Sequence, residues 1–139
     1  MHPARAGFDV AITARTVNDG ERREHSSPLH RSDTSALPGS LSATAELVRA
    51  AGAQALAVPA DLTDRDSVTA AADTVLAEWG RVDVLVNNGR HIGPGHLDRF
   101  ADTPLDLLEL HLQANVMAPL ALIKRRAGRG RRAPGRAAP

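Results

Sequence analysis

The chain has 139 residues, 42% hydrophobic and only 2% aromatic, with no Cys, no Tyr and Lys124 as its single Lys. That length suits one domain with a real core built from Ala, Val and Leu, and the lack of Cys excludes a disulfide framework, a thiolate metal site and a Cys nucleophile. The formal charge of +1 hides an asymmetry, because all sixteen acids precede Lys124 while seven of the seventeen basic residues fall between Lys124 and Arg136.

The run "FDVAITA", Phe8 to Ala14, is short, apolar and β-branched, and reads as a buried strand. Residues 15–40 follow as a long loop rich in charge, Ser, Pro and Gly, of the kind that is either functional or disordered. Ser40 or Ser42 then caps a helix through "LSATAELVRAAG", with Leu41, Ala45 and Val48 on one stripe and Gly52 at its end. A second strand is expected over Ala55 to Val58, with Asp61 at its exit. A second helix runs through "DRDSVTAAADTVLAEWG", capped by Asp64, with Val68, Ala72, Val75, Leu76 and Trp79 on its apolar face and Gly80 as its stop.

"VDVLV", Val82 to Val86, is apolar enough for a third strand covered on both faces. It ends in Asn87 and Asn88, and Gly89, Gly93 and Gly95 follow, which allow close approach of backbone to a ligand. A third helix spans residues 105–123, opened by Thr103 and Pro104 at the cap and first-turn positions. The order β-α-β-α-β-α with short later connections predicts an α/β fold, a parallel sheet of about three strands with flanking helices. Residues 1–124 would form that domain and residues 125–139 a disordered basic Arg/Gly/Ala/Pro tail. No internal repeat is apparent.

Neither a membrane-length apolar run nor a signal-peptide h-region is present in the sequence, so a cytoplasmic setting is the expectation. The six His show no metal-ligand spacing. The tail offers Arg but no aromatic for stacking, and the body is acidic, which argues against nucleic acid as a partner.

With "ADLTD" and "VLAEWG" before "RVDVLVNN" and "LQANVMAPLAL" after it, residues 7–124 resemble the short-chain dehydrogenase/reductase family. The resemblance implies a partial Rossmann-like, doubly wound sheet and a nicotinamide cofactor. Arg15 stands where the family often sets a basic residue against the 2′-phosphate of NADP, and Ala14 is not the acid that NAD-preferring members tend to carry, so NADP is the implied cofactor. Asp61, with Leu62, matches the position that contacts the adenine edge. Asn87 and Asn88 match the "NNAG" motif that lines the cofactor cleft, with Gly89 beside them as a further cofactor-binding position, and Asn115 matches the helical Asn that orders water toward the catalytic lysine in complete members. From the residues alone, other roles stay open: a solvated charge for Arg15, a turn cap for Asp61, turn residues for Asn87 and Asn88, and a structural hydrogen bond for Asn115.

The sequence also departs from the family. The glycine-rich phosphate turn is absent, "NNGR" stands for "NNAG", and no Tyr is present to form the Tyr-x-x-x-Lys pair. Beyond Lys124 the sequence turns to Arg/Gly/Ala/Pro, as a GC-rich gene does when read in a shifted frame. A truncated or degenerate family member, inactive alone and with weak or lost NADP binding, is therefore expected. Its alternative is a non-catalytic module that associates through helix 105–123 with itself or a full-length relative.

Overall fold

The computed structural model describes residues 3–129, and the side chains of residues 3–126. Strand β1 (Val10–Ala14) pairs in parallel with β2 (Ala55–Pro59), in a register that sets Val10 against Ala55 and Ala14 against Pro59. A parallel pair needs a long crossover. The loop after β1 and helix α1 (Leu41–Ala50) provide it. Ser40 caps α1, its hydroxyl accepting from Ala43 N at 3.1 Å, and Leu41, Ala45 and Val48 are buried as one stripe against both strands. Helix α2 (Arg65–Trp79) begins at Asp64, whose carboxylate accepts from Asp66 N at 2.9 Å, and stops at Gly80 with φ 72°, a left-handed conformation that only glycine adopts without strain. Its buried positions are Val68, Ala71, Val75 and Leu76, so Ala71 rather than Ala72 faces inward. Val58, Ala60, Ala71 and Val75 form the core cluster, with Ala11, Leu56, Trp79 and Val82 packed around it.

Three expectations need correction. The run Val82–Val86 is not a strand: among the described residues the sheet is two-stranded, β1 beside β2. Val82 reaches the core cluster, but Val84 and Val86 are 61% and 72% exposed. Apolar patterning makes a segment eligible for a central strand, and a ladder still needs a partner edge. Here the carbonyls of Val82 and Asp83 are taken instead by the Arg126 guanidinium, at 2.9 and 2.5 Å.

The expected helix 105–123 is also interrupted. It consists of α3 (Leu105–Leu112), one π-helical turn (Gln113–Met117) and α4 (Ala118–Arg129). Pro104 occupies the cap position itself, and the Thr103 hydroxyl donates to Arg99 O at 3.1 Å rather than capping the helix.

Finally, α4 continues to Arg129, past residue 124 where the basic tail was expected to begin. Arg125 pairs with Asp73 of α2, which ties the start of the basic stretch to the α/β body. The remainder of that stretch, residues 130–139, lies outside the described residues. No helix among the described residues is long and apolar enough to cross a membrane.

Residues 15–40 contain no helix or strand, and the loop is organised by its own carboxylates. Glu21 accepts from Val17 N and Asn18 N, and Glu24 accepts from the Ser32 hydroxyl, Ser26 N and Asp33 N. These bonds, led by that from Ser32, hold the Glu24 carboxyl down to about 2. Leu41 N and Ser42 N donate to Thr16 O and Val17 O, closing the base of the loop.

Leu41 and Val86 make a pair that tests this packing. Leu41→Ala, at a site 1% exposed, is expected to lower unfolding stability by about 2–4 kcal/mol, and Val86→Ala by less than about 0.5 kcal/mol. Urea unfolding of both variants checks this; a loss above about 1 kcal/mol for Val86→Ala would mean the 82–86 run is packed as an interior strand.

Candidate functional site

Because β1 and β2 are parallel and in register to their last residues, their carboxyl ends lie level, and Ala60 N donates to Ala14 O at 3.1 Å just beyond them. Ligands of open α/β sheets bind at such ends. Arg15 leaves β1 there and Asp61 leaves β2, each half-buried.

The Asp61 carboxylate is held in a local turn. Its Oδ1 accepts from Thr63 N at 2.9 Å and from the Thr63 hydroxyl at 2.7 Å, while Asp61 N donates to Ser67 Oγ at 3.0 Å. Burial pushes this carboxyl up, but the two Thr63 bonds and the positive fields of Arg15 and His91 outweigh it and hold the group below the usual carboxylate range. Asp61 therefore serves as a charged acceptor. Its Oδ2 accepts no hydrogen bond among the described residues. Arg15 likewise donates none, which leaves its guanidinium available at the strand end.

Gly89 meets Leu62, the residue beside Asp61. A Cβ on Gly89 would stand 3.2 Å from Leu62 Cδ1, so the backbone of the post-Asn segment lies close against the exit of β2. Asn87 and Asn88 are exposed and form no side-chain hydrogen bond among the described residues.

Asn115 sits in the π turn, a distortion that recurs at functional sites because it re-aims one side chain out of the helical ladder. Its Oδ1 accepts from His91 N at 2.8 Å and its Nδ2 donates to His91 O at 3.2 Å. Both hydrogen-bonding groups of the side chain thus clip one residue of the loop. Two residues earlier, Gln113 Nε2 donates to Leu62 O at 3.4 Å. The π turn holds both the post-β2 loop and the post-Asn loop, and Ala114, fully buried, anchors it.

The structure therefore gathers Arg15, Asp61, Leu62, Gly89 and Asn115 around one edge, with Asn87 and Asn88 on the adjoining exposed segment. Sequence reasoning missed His91, Gln113 and His111. His91 was legible only as one of six His without ligand spacing; the signal that could have found it is the glycine two residues on, since Gly93 provides the room its ring occupies. No group of three or more His, Cys, Asp or Glu among the described residues is arranged to hold a metal ion.

Residues 34–135 match the sequence model described as "Enoyl-(Acyl carrier protein) reductase", one of the short-chain dehydrogenase models. The chain belongs to the short-chain dehydrogenase/reductase family. The matched stretch runs on past Lys124, where the sequence was expected to leave the family pattern. The 1-deoxy-11-beta-hydroxypentalenate dehydrogenase of Streptomyces arenae is 32% identical over 136 residues, which cover 92% of this chain and 44% of that protein. A short-chain dehydrogenase of Mycobacterium thermoresistibile superposes with a TM-score of 0.68 at 27% identity, over 94% of this chain and 41% of that one. A metagenomic short-chain oxidoreductase in complex with NADP superposes with a TM-score of 0.61 at 28% identity, over 91% and 48%. The chain spans less than half the length of each of these short-chain dehydrogenase/reductase relatives.

If the π turn positions the loop, Asn115→Ala will raise the amide exchange rate of residues 89–92 about tenfold or more, in line with loss of two hydrogen bonds. Helix α2 will be unchanged. Hydrogen exchange read by mass spectrometry distinguishes this from general loosening, which would raise exchange in both segments.

Proposed function

We propose that this chain carries the adenosine-side part of an NADP site of a short-chain oxidoreductase, and that its 139 residues do not complete the catalytic machinery. The observation that carries the reading is the level ending of β1 and β2, which sets a half-buried cation, Arg15, and a half-buried carboxylate, Asp61, at one edge of a parallel sheet. The residues suit the two ends of an adenosine 2′-phosphate. Arg15, with no acceptor among the described residues, offers a forked donor to the phosphate. Asp61 Oδ2 offers an acceptor to the adenine amino group, and Leu62 an apolar surface beside it. Asn87, Asn88 and Gly89 line the cleft, where a side chain on Gly89 would crowd Leu62. Asn115 acts here as a positioning residue, through the backbone of His91.

The NADP complex of the metagenomic relative supports the choice of cofactor. When bound, such a cofactor gives or takes a hydride at its nicotinamide ring. The proton transfer that accompanies hydride movement in the family falls to a Tyr, and this sequence has none. The chain by itself is therefore inactive, in the reducing setting of the cytoplasm.

The second reading is a non-catalytic association module. It is favoured by apolar side chains left exposed along α3, the π turn and α4: Leu105, Leu112, Val116, Leu120 and Ile123. Such a continuous face suits a second copy or a full-length relative. The combined reading predicts cofactor binding without turnover.

Titration of the purified chain with NADP and NAD tests the first reading. Arg15→Ala is expected to weaken NADP binding about tenfold and to change NAD binding less than about twofold, the loss of one charge-assisted contact to phosphate. Equal effects on both cofactors would remove Arg15 from the phosphate role, and NADPH oxidation by the chain alone would overturn the proposed inactivity.

A further inference from the structure

Within the long loop after β1, residues 22–35 form a lobe with its own internal bracing. The Glu24 carboxylate on one limb accepts from Asp33 N at 3.1 Å and from the Ser32 hydroxyl on the other. His25 N donates to Asp33 O at 3.0 Å, and Arg22 Nε donates to Thr34 O at 3.1 Å. A lobe cross-braced in this way moves as one piece.

Its attachments to the body are few. The limbs leave through Gly20, with φ 82°, and Gly39, with φ 92°, and a Cβ at either glycine would meet nothing within 4 Å. An open depression lies between these glycines, lined also by Leu37 and Pro38, and residues 36–39 are all exposed. Left-handed glycines in open surroundings suit hinges. Among the described residues, two hydrogen bonds join the lobe to the rest of the protein: Leu29 N donates to Asp98 Oδ2 at 2.8 Å, and Leu97 N donates to Ser27 O at 3.5 Å. The first is short and made to a carboxylate, and the second is long for a hydrogen bond, so Asp98 is the latch.

The position of the latch gives it a consequence for the site. Arg15 leaves β1 and leads into the loop. Asp98 ends the segment that passes Gly89 against Leu62 at the exit of β2 and is clipped at His91 by Asn115. With the latch made, the chain runs from the β1 exit through the lobe to Asp98, then back along residues 97–89 to the β2 exit. That path is a closed ring around the edge carrying Arg15 and Asp61. Ser26 is buried and its neighbours 24, 25 and 27–29 are half-buried, which marks the seated side of the lobe, whereas residues 30–39 are exposed.

We infer that residues 20–39 form a hinged lid over the nucleotide-binding edge, latched by Asp98, which opens to admit a dinucleotide and closes to slow its release. The inference rests on the nucleotide reading above and names the element that governs access to that site. Asp98 is a positioning residue: it holds the backbone of Leu29 and acts through the lid.

The absence of Cys makes thiol labelling a direct test, because Arg15→Cys introduces the sole thiol at the edge. Adding Asp98→Ala is expected to speed its reaction with a bulky maleimide about tenfold, the effect of losing one bond to a carboxylate, and Asp98→Asn, which keeps an acceptor, to restore most of the protection. A thiol placed in the core by Val75→Cys reports global opening and is expected to react at an unchanged rate. With Arg15 intact, Asp98→Ala is expected to speed NADP dissociation, followed by stopped flow, by about tenfold. Labelling at position 15 that is unchanged by Asp98→Ala, or accelerated equally at position 75, would overturn the lid, as would an unaltered NADP dissociation rate. Faster labelling at position 15 alone, in a chain that binds no NADP, would uphold the lid and overturn the nucleotide reading.

Discussion

The parallel pairing of Val10–Ala14 with Ala55–Pro59 is the constraint from which the remaining geometry follows. Antiparallel partners would send their exits to opposite ends of the sheet; parallel ones bring them to the same end, at the cost of a long crossover. Here the crossover is loop 15–40 and α1, closed at its base where Leu41 N and Ser42 N donate to Thr16 O and Val17 O. Closure keeps the first residues after β1 close to the sheet. Arg15 and Asp61 then come to one edge although they are far apart in sequence, and the Arg15 charge helps to hold the Asp61 carboxyl below its usual range.

A second layer of control comes from the π turn. The wider turn at Gln113–Met117 carries both Gln113, whose side chain donates to Leu62 O, and Asn115, whose side chain holds His91. One distortion in one helix thus fixes two loops from different parts of the chain. The fully buried Ala114 within it and Ala118 directly after it show why it persists: small side chains let the backbone sit close to its neighbours.

Much of the architecture was legible in the residues themselves. Ser40 and Asp64 cap the helices they were expected to cap, Gly80 stops α2 in the left-handed conformation, and the stripe Leu41, Ala45, Val48 is buried. These features are local, each decided within a turn of helix. The 82–86 run was misread because apolar patterning records which side chains want cover, whereas a strand is defined by a hydrogen-bonding neighbour that patterning does not name. The π turn was hidden for a related reason: its 3.6-residue neighbours share its apolar pattern, and an extra residue in one turn leaves almost no mark on periodicity. Of the site, Arg15, Asp61, Leu62, Gly89 and Asn115 came from the family resemblance and converge in space. His91 and His111 did not, because their proximity depends on α3 folding back over the 91–96 loop.

The central claim is that the level ends of β1 and β2, together with the loop clipped by Asn115, form one nucleotide-binding edge. Amide chemical-shift mapping of the 139-residue chain on addition of NADP addresses it most directly. The account predicts shifts concentrated at residues 15–16, 60–62 and 87–91, with α2 and α4 silent. Shifts centred instead on the open depression formed by Asp19, Gly20, Leu37 and Gly39, or none at saturating cofactor, would contradict it.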